Sequence, residues 1–174
     1  MRTADVPFVF AGGELMLTPE ATGNLGGERR AMARYRTTIE SFWSPERAFD
    51  YMANFANAAE WDPGVVSGAQ STEGPVRLGA RFDLEAAFGK STIPLDYVIA
   101  AYEPHSRVVL VAETDKIKST DEITIVANGT GCLVTYDAEL ETRGPFRWLS
   151  PVVSLMFRRI GDRARDSLRR ELNK

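Results

Sequence analysis

Two phenols carry most of the chemistry this sequence offers. Tyr97 and Tyr136 each sit in a run that alternates with apolar residues, and a buried phenol can orient a ligand carbonyl or hydroxyl. The same hydroxyl can instead do no more than satisfy a backbone carbonyl. His105 is the single histidine and the obvious general base near neutral pH, but Glu103-Pro104-His105-Ser106 reads as a hairpin tip. Cys132, the single cysteine, is in phase with Val134 and has no neighbouring base. That predicts a buried, inert thiol. Asp62 precedes Pro63-Gly64, a setting in which aspartate forms turns rather than acting as an acid or base. Two motif fragments fail on inspection. Gly89-Lys90-Ser91-Thr92 looks like the end of a phosphate-binding loop, but Leu84 stands where the first glycine belongs and no helix follows. Gly129-x-Gly131 lacks the third glycine of a dinucleotide fingerprint and leads into a strand. One cysteine and one histidine leave no ligand cluster for zinc. The catalytic residues are therefore left unassigned, and no cofactor is expected.

The elements that must position these side chains follow from periodicity. Ala33 to Phe42 alternates around Tyr35, Thr37 and Ile39 and predicts a strand. Ser44-Pro45-Glu46 is a helix start: a capping hydroxyl, a proline suited to the first turn, and an acid at the positive end of the dipole. Phe49, Met52 and Ala53 form its apolar face; a second short helix carries Phe55, Ala58 and Trp61 and stops at Asp62-Pro63-Gly64. Six strands then follow: Val65–Thr72, Arg77–Phe88, Ile93–Tyr102, Val108–Thr114, Thr120–Ala127 and Cys132–Thr142. No helix separates them, so they predict an antiparallel meander. In the last, Cys132, Val134, Tyr136, Ala138 and Leu140 share one face, and Thr135, Asp137, Glu139 and Glu141 the other. Gly144-Pro145 breaks the pattern. From about Leu149 to Leu172, Val152, Met156, Ile160, Ala164, Leu168 and Leu172 recur every fourth residue, which predicts a long amphipathic helix.

Composition sets outer bounds. The chain has 174 residues, a net charge of −3, 44% apolar and 26% charged residues. That suits one globular domain and excludes collagen-like, mucin-like and wholly disordered classes. The mild acidity argues against nucleic acid as the main partner. No stretch approaches the roughly 20 apolar residues of a membrane span, so no stable membrane insertion is expected. The run Val6 to Ala11 is broken by Pro7 and is too short for a signal peptide. A cytoplasmic protein is the expectation. Residues 1–31 show no sustained period and are expected to form a loose extension, with a possible hairpin of Val6–Phe10 against Leu15–Thr18; Met32 is a candidate natural start. Residues 149–174 hold seven basic and three acidic side chains, a net +4 that leaves −7 on the rest. This is read as a solvated face, with contact to an anionic membrane surface as the sharper alternative.

The order strand, two short helices, six strands, long helix resembles the START-like helix-grip superfamily, in its polyketide cyclase/dehydrase and lipid-transport (SRPBCC) branch. The residues carrying the resemblance are Ser44–Tyr51, Ala59-Glu60-Trp61-Asp62-Pro63-Gly64-Val65, Gly79-Ala80-Arg81-Phe82, Tyr102-Glu103-Pro104, Gly129-Thr130, Val134–Gly144 and the arginine-rich last helix. It covers roughly 33–174 and implies an α+β fold, a curved seven-stranded antiparallel sheet gripping the C-terminal helix. A START-like ligand-binding domain over 32–174 is expected, with an apolar cavity between sheet and helix. It also implies that His105 lies away from the pocket mouth.

Strand phase then nominates the lining of that cavity. Phe82, Leu84 and Phe88 share one face, with Leu95, Tyr97 and Ile99 on the next strand and Val134 and Tyr136 on the last. From the long helix, Val153, Met156, Phe157 and Ile160 face the sheet. Trp61 sits at the cavity mouth, as a gate or as a seal between helix end and sheet. Aromatic rings with two phenols suit a flat or long apolar molecule, a lipid, polyketide-like or aromatic ligand. The favoured reading is a carrier or sensor of a small hydrophobic molecule. The first alternative is a cyclase or dehydratase in which Tyr97 or Tyr136 polarises a carbonyl. The second is an interaction module with a filled cavity. A buried carboxylate or arginine beside the phenols would favour the enzyme; phase points Asp96 and Arg81 outward, against it. Ligand identity and oligomeric state stay open.

Overall fold

A computed structural model describes the backbone of residues 31–88, 90–143 and 150–174, and the side chains of these except 31, 88 and 150–160. The expected N-terminal extension and its hairpin lie outside the described residues. Strand β1 (Ala31–Ser41) is followed by helix α1 (Pro45–Ala53), a 3-10 turn (Phe55–Asn57) and helix α2 (Ala58–Trp61). Six strands come next: β2 (Val65–Gln70), β3 (Arg81–Phe88), β4 (Ser91–Glu103), β5 (Arg107–Glu113), β6 (Ile117–Asn128) and β7 (Gly131–Thr142). Helix α3 (Ser150–Glu171) closes the chain.

All seven strands form one antiparallel sheet in the order β1-β7-β6-β5-β4-β3-β2. Strands β2 to β7 make the expected meander, and β1 adds to its far edge by pairing with β7 over its whole length. The sheet's inner face alternates as the sequence does: Ile123 and Ile125 on β6, and Cys132, Val134, Tyr136 and Ala138 on β7, are buried. Outward residues of β7 meet β1, where Arg34 grips Asp137 through two hydrogen bonds of 2.8 and 2.6 Å.

Local signals explain the entry to the helices. Ser44 caps α1, its Oγ accepting from Arg47 N at 3.3 Å, with Pro45 in the first turn and Glu46 beside it. The second short helix is split into the 3-10 turn and α2, both delivering buried aromatics, Phe55 and Trp61. Two strand starts differ most from expectation: β6 begins at Ile117 rather than Thr120, and β3 begins later than Arg77. Arg77–Ala80 is a turn, with Ala80 N donating to Arg77 O at 2.9 Å, and β3 begins at Arg81. Gly79 has φ 79°, a left-handed conformation that ends extended structure.

Helix α3 lies against β1. Ala164, Leu168 and Leu172 of the expected stripe are buried. Its C-terminal end is tied to the end of β1: Ser41 Oγ donates to Leu172 O at 2.5 Å, Phe42 N donates to Asn173 Oδ1 at 3.1 Å, and Asn173 Nδ2 donates to Glu40 O at 3.1 Å. No helix among the described residues is long and apolar enough to cross a membrane.

Candidate functional site

The middle of the sheet's inner face carries a buried polar cluster among apolar side chains. Register builds it. Ser119 lies opposite Ala112, which lies opposite Tyr97; one row on, Asp121 lies opposite Leu110 and Ala138; one further, Ile123 lies opposite Tyr136. Tyr136 thus approaches Asp121 along the diagonal of two adjacent strands, and Tyr97 reaches toward it from β4 across β5. Tyr136 Oη donates to Asp121 Oδ1 at 2.5 Å, and Ser119 Oγ donates to Asp121 Oδ2 at 3.1 Å. The Tyr97 hydroxyl stands beside Ser119 and Asp121, close enough for both to act on it. Asp121 is only 3% exposed.

This carboxylate was not among the expected site residues. The expectation rested on the absence of an acid beside the phenols, and the structure corrects it. The signal was present: Ser119, Asp121, Ile123 and Ile125 share one parity of β6, so an aspartate stands in phase with two buried isoleucines. A charge on the buried phase of a strand is costly unless partnered, and Asp121 has three hydroxyl partners. Asp96 and Arg81 are outward and exposed, as expected.

Burial governs the electrostatics. It raises the Asp121 carboxyl above the ordinary aspartate range, against the lowering effect of the hydroxyls of Tyr136, Tyr97 and Ser119. Burial, reinforced by the charge of Asp121, pushes both phenols well above their usual value. Asp62 follows α2, its Oδ1 accepting from Gly64 N at 2.7 Å, so it does form the expected turn. Yet burial also pushes its carboxyl up to about 6, the Gly64 hydrogen bond opposing and the charge of Asp121 adding. Asp62 is therefore a turn residue and a second buried acid coupled to the first.

Aromatic rings close over this cluster. Trp61 is 2% exposed and meets Tyr136 edge-on, ring centroids 5.3 Å apart. Phe55 meets Tyr97 the same way at 4.9 Å. The contact that Trp61 makes is thus with a phenol of the cluster, and Phe55, absent from the expected lining, is its counterpart over the other.

Of the nominated lining, Trp61, Phe82, Leu84, Tyr97, Ile99, Val134 and Tyr136 are buried, and Leu95 is partly buried in the same phase of β4. The side chains of Phe88, Val153, Met156, Phe157 and Ile160 lie outside the described residues. His105 is exposed in the β4–β5 turn at φ 64°, against the edge of Phe49, and is no part of the cluster. Cys132 is a buried free thiol that burial makes harder to ionise. On the outer face, a recess of about 260 Å³ crosses β2, β3 and β4, walled by Asp83, Glu85 and Asp96.

Solved structures share this architecture. A START superfamily protein from Mycobacterium smegmatis superposes with a TM-score of 0.65 at 14% identity, over 80% of this chain and 96% of that one. The Zhui aromatase/cyclase from a Streptomyces species gives 0.64 at 10% identity, over 81% and 91%. A protein from Rhizobium loti gives 0.59 at 19% identity, over 83% and 100%. At such identities the likeness is one of fold. No curated protein matches the chain. The sequence model for polyketide cyclase / dehydrase and lipid transport proteins matches residues 32–173. With the meander, the two short helices and the gripped C-terminal helix in place, the chain belongs to the polyketide cyclase/dehydrase and lipid transport family, with the START-like helix-grip fold.

Proposed function

We propose that this protein binds a small hydrophobic molecule against the inner face of its sheet, with the molecule's polar end at Tyr97 and Tyr136. One observation carries the reading: a buried polar cluster set in a wall of Phe82, Leu84, Ile99 and Val134. Ligand sites are built that way, an apolar surface for affinity and a few converging polar groups for orientation. The family, which includes lipid transport proteins by its description, supports it. Native mass spectrometry of protein purified from its own host tests it. A co-purified apolar molecule is the expected result. A chain of bare mass that takes up no environment-sensitive apolar dye would sink the reading and leave an interaction module.

Asp121 favours a second reading, an enzyme of the cyclase or dehydratase type. A Tyr136 hydroxyl backed by a carboxylic acid can give its proton to the oxygen of a bound carbonyl or departing hydroxyl and recover one from Asp121. The same preparation separates the two readings. An enzyme with Asp121→Asn would accumulate a precursor differing in mass from the wild-type ligand, whereas a carrier would hold no such precursor.

A further inference from the structure

Counting protons in the cluster leads further than the presence of a ligand. Three hydroxyls gather at one carboxyl group, those of Tyr136 and Ser119 hydrogen-bonded to it and that of Tyr97 beside them, and the register partners of Asp121 on either side, Leu110 and Ala138, offer no polar atom from their side chains. An ionised carboxylate only accepts. The Tyr136 and Ser119 protons then point at Asp121, and the Tyr136 oxygen has only lone pairs left for anything else. A protonated Asp121 must itself donate. It donates to one of these hydroxyl oxygens, and that hydroxyl's own proton is released to point elsewhere.

We propose, resting on the binding reading above, that the proton on Asp121 selects the class of ligand. With Asp121 ionised the phenols take a hydrogen-bond donor, a ligand hydroxyl or N–H. With Asp121 protonated they take an acceptor, a ligand carbonyl. Binding a carbonyl compound is then linked to uptake of one proton from solvent, and binding a hydroxyl compound to its release.

The groups acting on Asp121 among the described residues are few. Tyr97 faces it from β4, Tyr136 from β7 and Ser119 from its own strand. Asp62, after α2, is the second buried acid. Asp137 acts more weakly from the outer face of β7, where Arg34 holds it. β5 presents Leu110 and Ala112. Burial, with the charge of Asp137 adding, holds the Asp121 carboxyl above the ordinary aspartate range against the opposing effect of the three hydroxyls.

Acetylnaphthalene and naphthol form a suitable probe pair, flat bicyclic rings that differ in carrying a carbonyl or a hydroxyl. Their dissociation constants are measured on the full chain by fluorescence between about pH 5 and about pH 8, where folded proteins are generally most stable. Acetylnaphthalene is expected to weaken about tenfold as pH rises and naphthol to tighten about tenfold, the worth of one exchanged hydrogen bond. Asn at position 121 keeps the shape and always donates through its amide. Asp121→Asn should bind acetylnaphthalene with a flat profile and lose naphthol at every pH. Asp62→Asn should keep the opposed slopes, with midpoints shifted to lower pH by removal of the neighbouring charge. Parallel slopes for the two probes in the wild-type chain overturn the inference and leave the binding reading standing. So does the loss of opposed slopes in Asp62→Asn. Failure of both probes to bind at any pH overturns the binding reading and this inference together. The wild-type slopes decide the matter even if Asp121→Asn does not fold.

Discussion

Asp62 shows how one side chain serves geometry and electrostatics at once. Its Oδ1 holds the turn through Gly64 N, and asparagine would keep that acceptor. Its charge is the expensive part. The carboxyl ionises near its ordinary value of 3.8 in the unfolded chain and at about 6 in the folded one. Between those values the folded state holds a proton that the unfolded state has lost. The contribution to stability is therefore complete below about pH 4 and disappears as pH rises through about 6. Asp62→Asn removes this dependence. Urea unfolding should show the variant gaining on the wild type as pH rises from about 4.5 to about 8, by about 2 kcal/mol, the part of a two-unit shift that falls above pH 4.5. An unchanged gap between those two pH values would show that Asp62 ionises normally in the folded state. Asp121 acts in the same direction, so the wild type should itself be less stable at the alkaline end of this range than that one substitution explains.

Among the elements, α3 packs closely on β1. Gly161 is buried over Tyr35, and a Cβ there would stand 2.5 Å from Tyr35 Cδ2 and 2.6 Å from Cγ. The absence of a side chain lets the helix lie directly on the ring, whose hydroxyl reaches Asp162 Oδ1 at 3.4 Å. Gly161→Ala should cost about 1–3 kcal/mol, the usual penalty of overpacking. The same substitution in a Tyr35→Ala background should reverse sign. With the ring gone, alanine is the better helix former by about 0.5–1 kcal/mol. Chemical denaturation of the four chains gives the coupling directly. Additive effects would mean that helix and strand move apart at this point. Periodicity made the elements themselves readable, because strand alternation and the four-residue stripe of α3 are local patterns. It failed at Arg77–Ala80, where apolar and polar residues continue the strand pattern but Gly79 turns the backbone.

At the scale of the whole molecule, the fold closes on itself through β1. The first strand pairs with the last, and the end of α3 is hydrogen-bonded to the end of β1. This closure begins at Ala31, and the family match begins at residue 32. A chain starting at Met32 should therefore melt within a few degrees of the full one, a shift of less than about 1 kcal/mol for a domain of this size. Calorimetry of both chains checks this. A large fall in melting temperature would show that residues 1–31 contribute packing.

What the sequence determined by itself was the list of elements, their order and the inner phase of each strand, since these depend on neighbours a few positions apart. Tyr97, Tyr136, Phe82 and Val134 were legible for that reason. The register between strands was not, because it is set by the geometry of each turn and by irregularities such as the one between Ile99 and Ala101, where β4 meets β5. Only the tertiary structure decided that Ser119 and Asp121 arrive between two phenols, that Phe55 and Trp61 cover them, and that Asp62 stands near enough to be coupled to Asp121. An aspartate in a strand reads as solvated until three hydroxyls from three strands are brought to it. Its chemistry belongs to that meeting, and no stretch of the chain contains it.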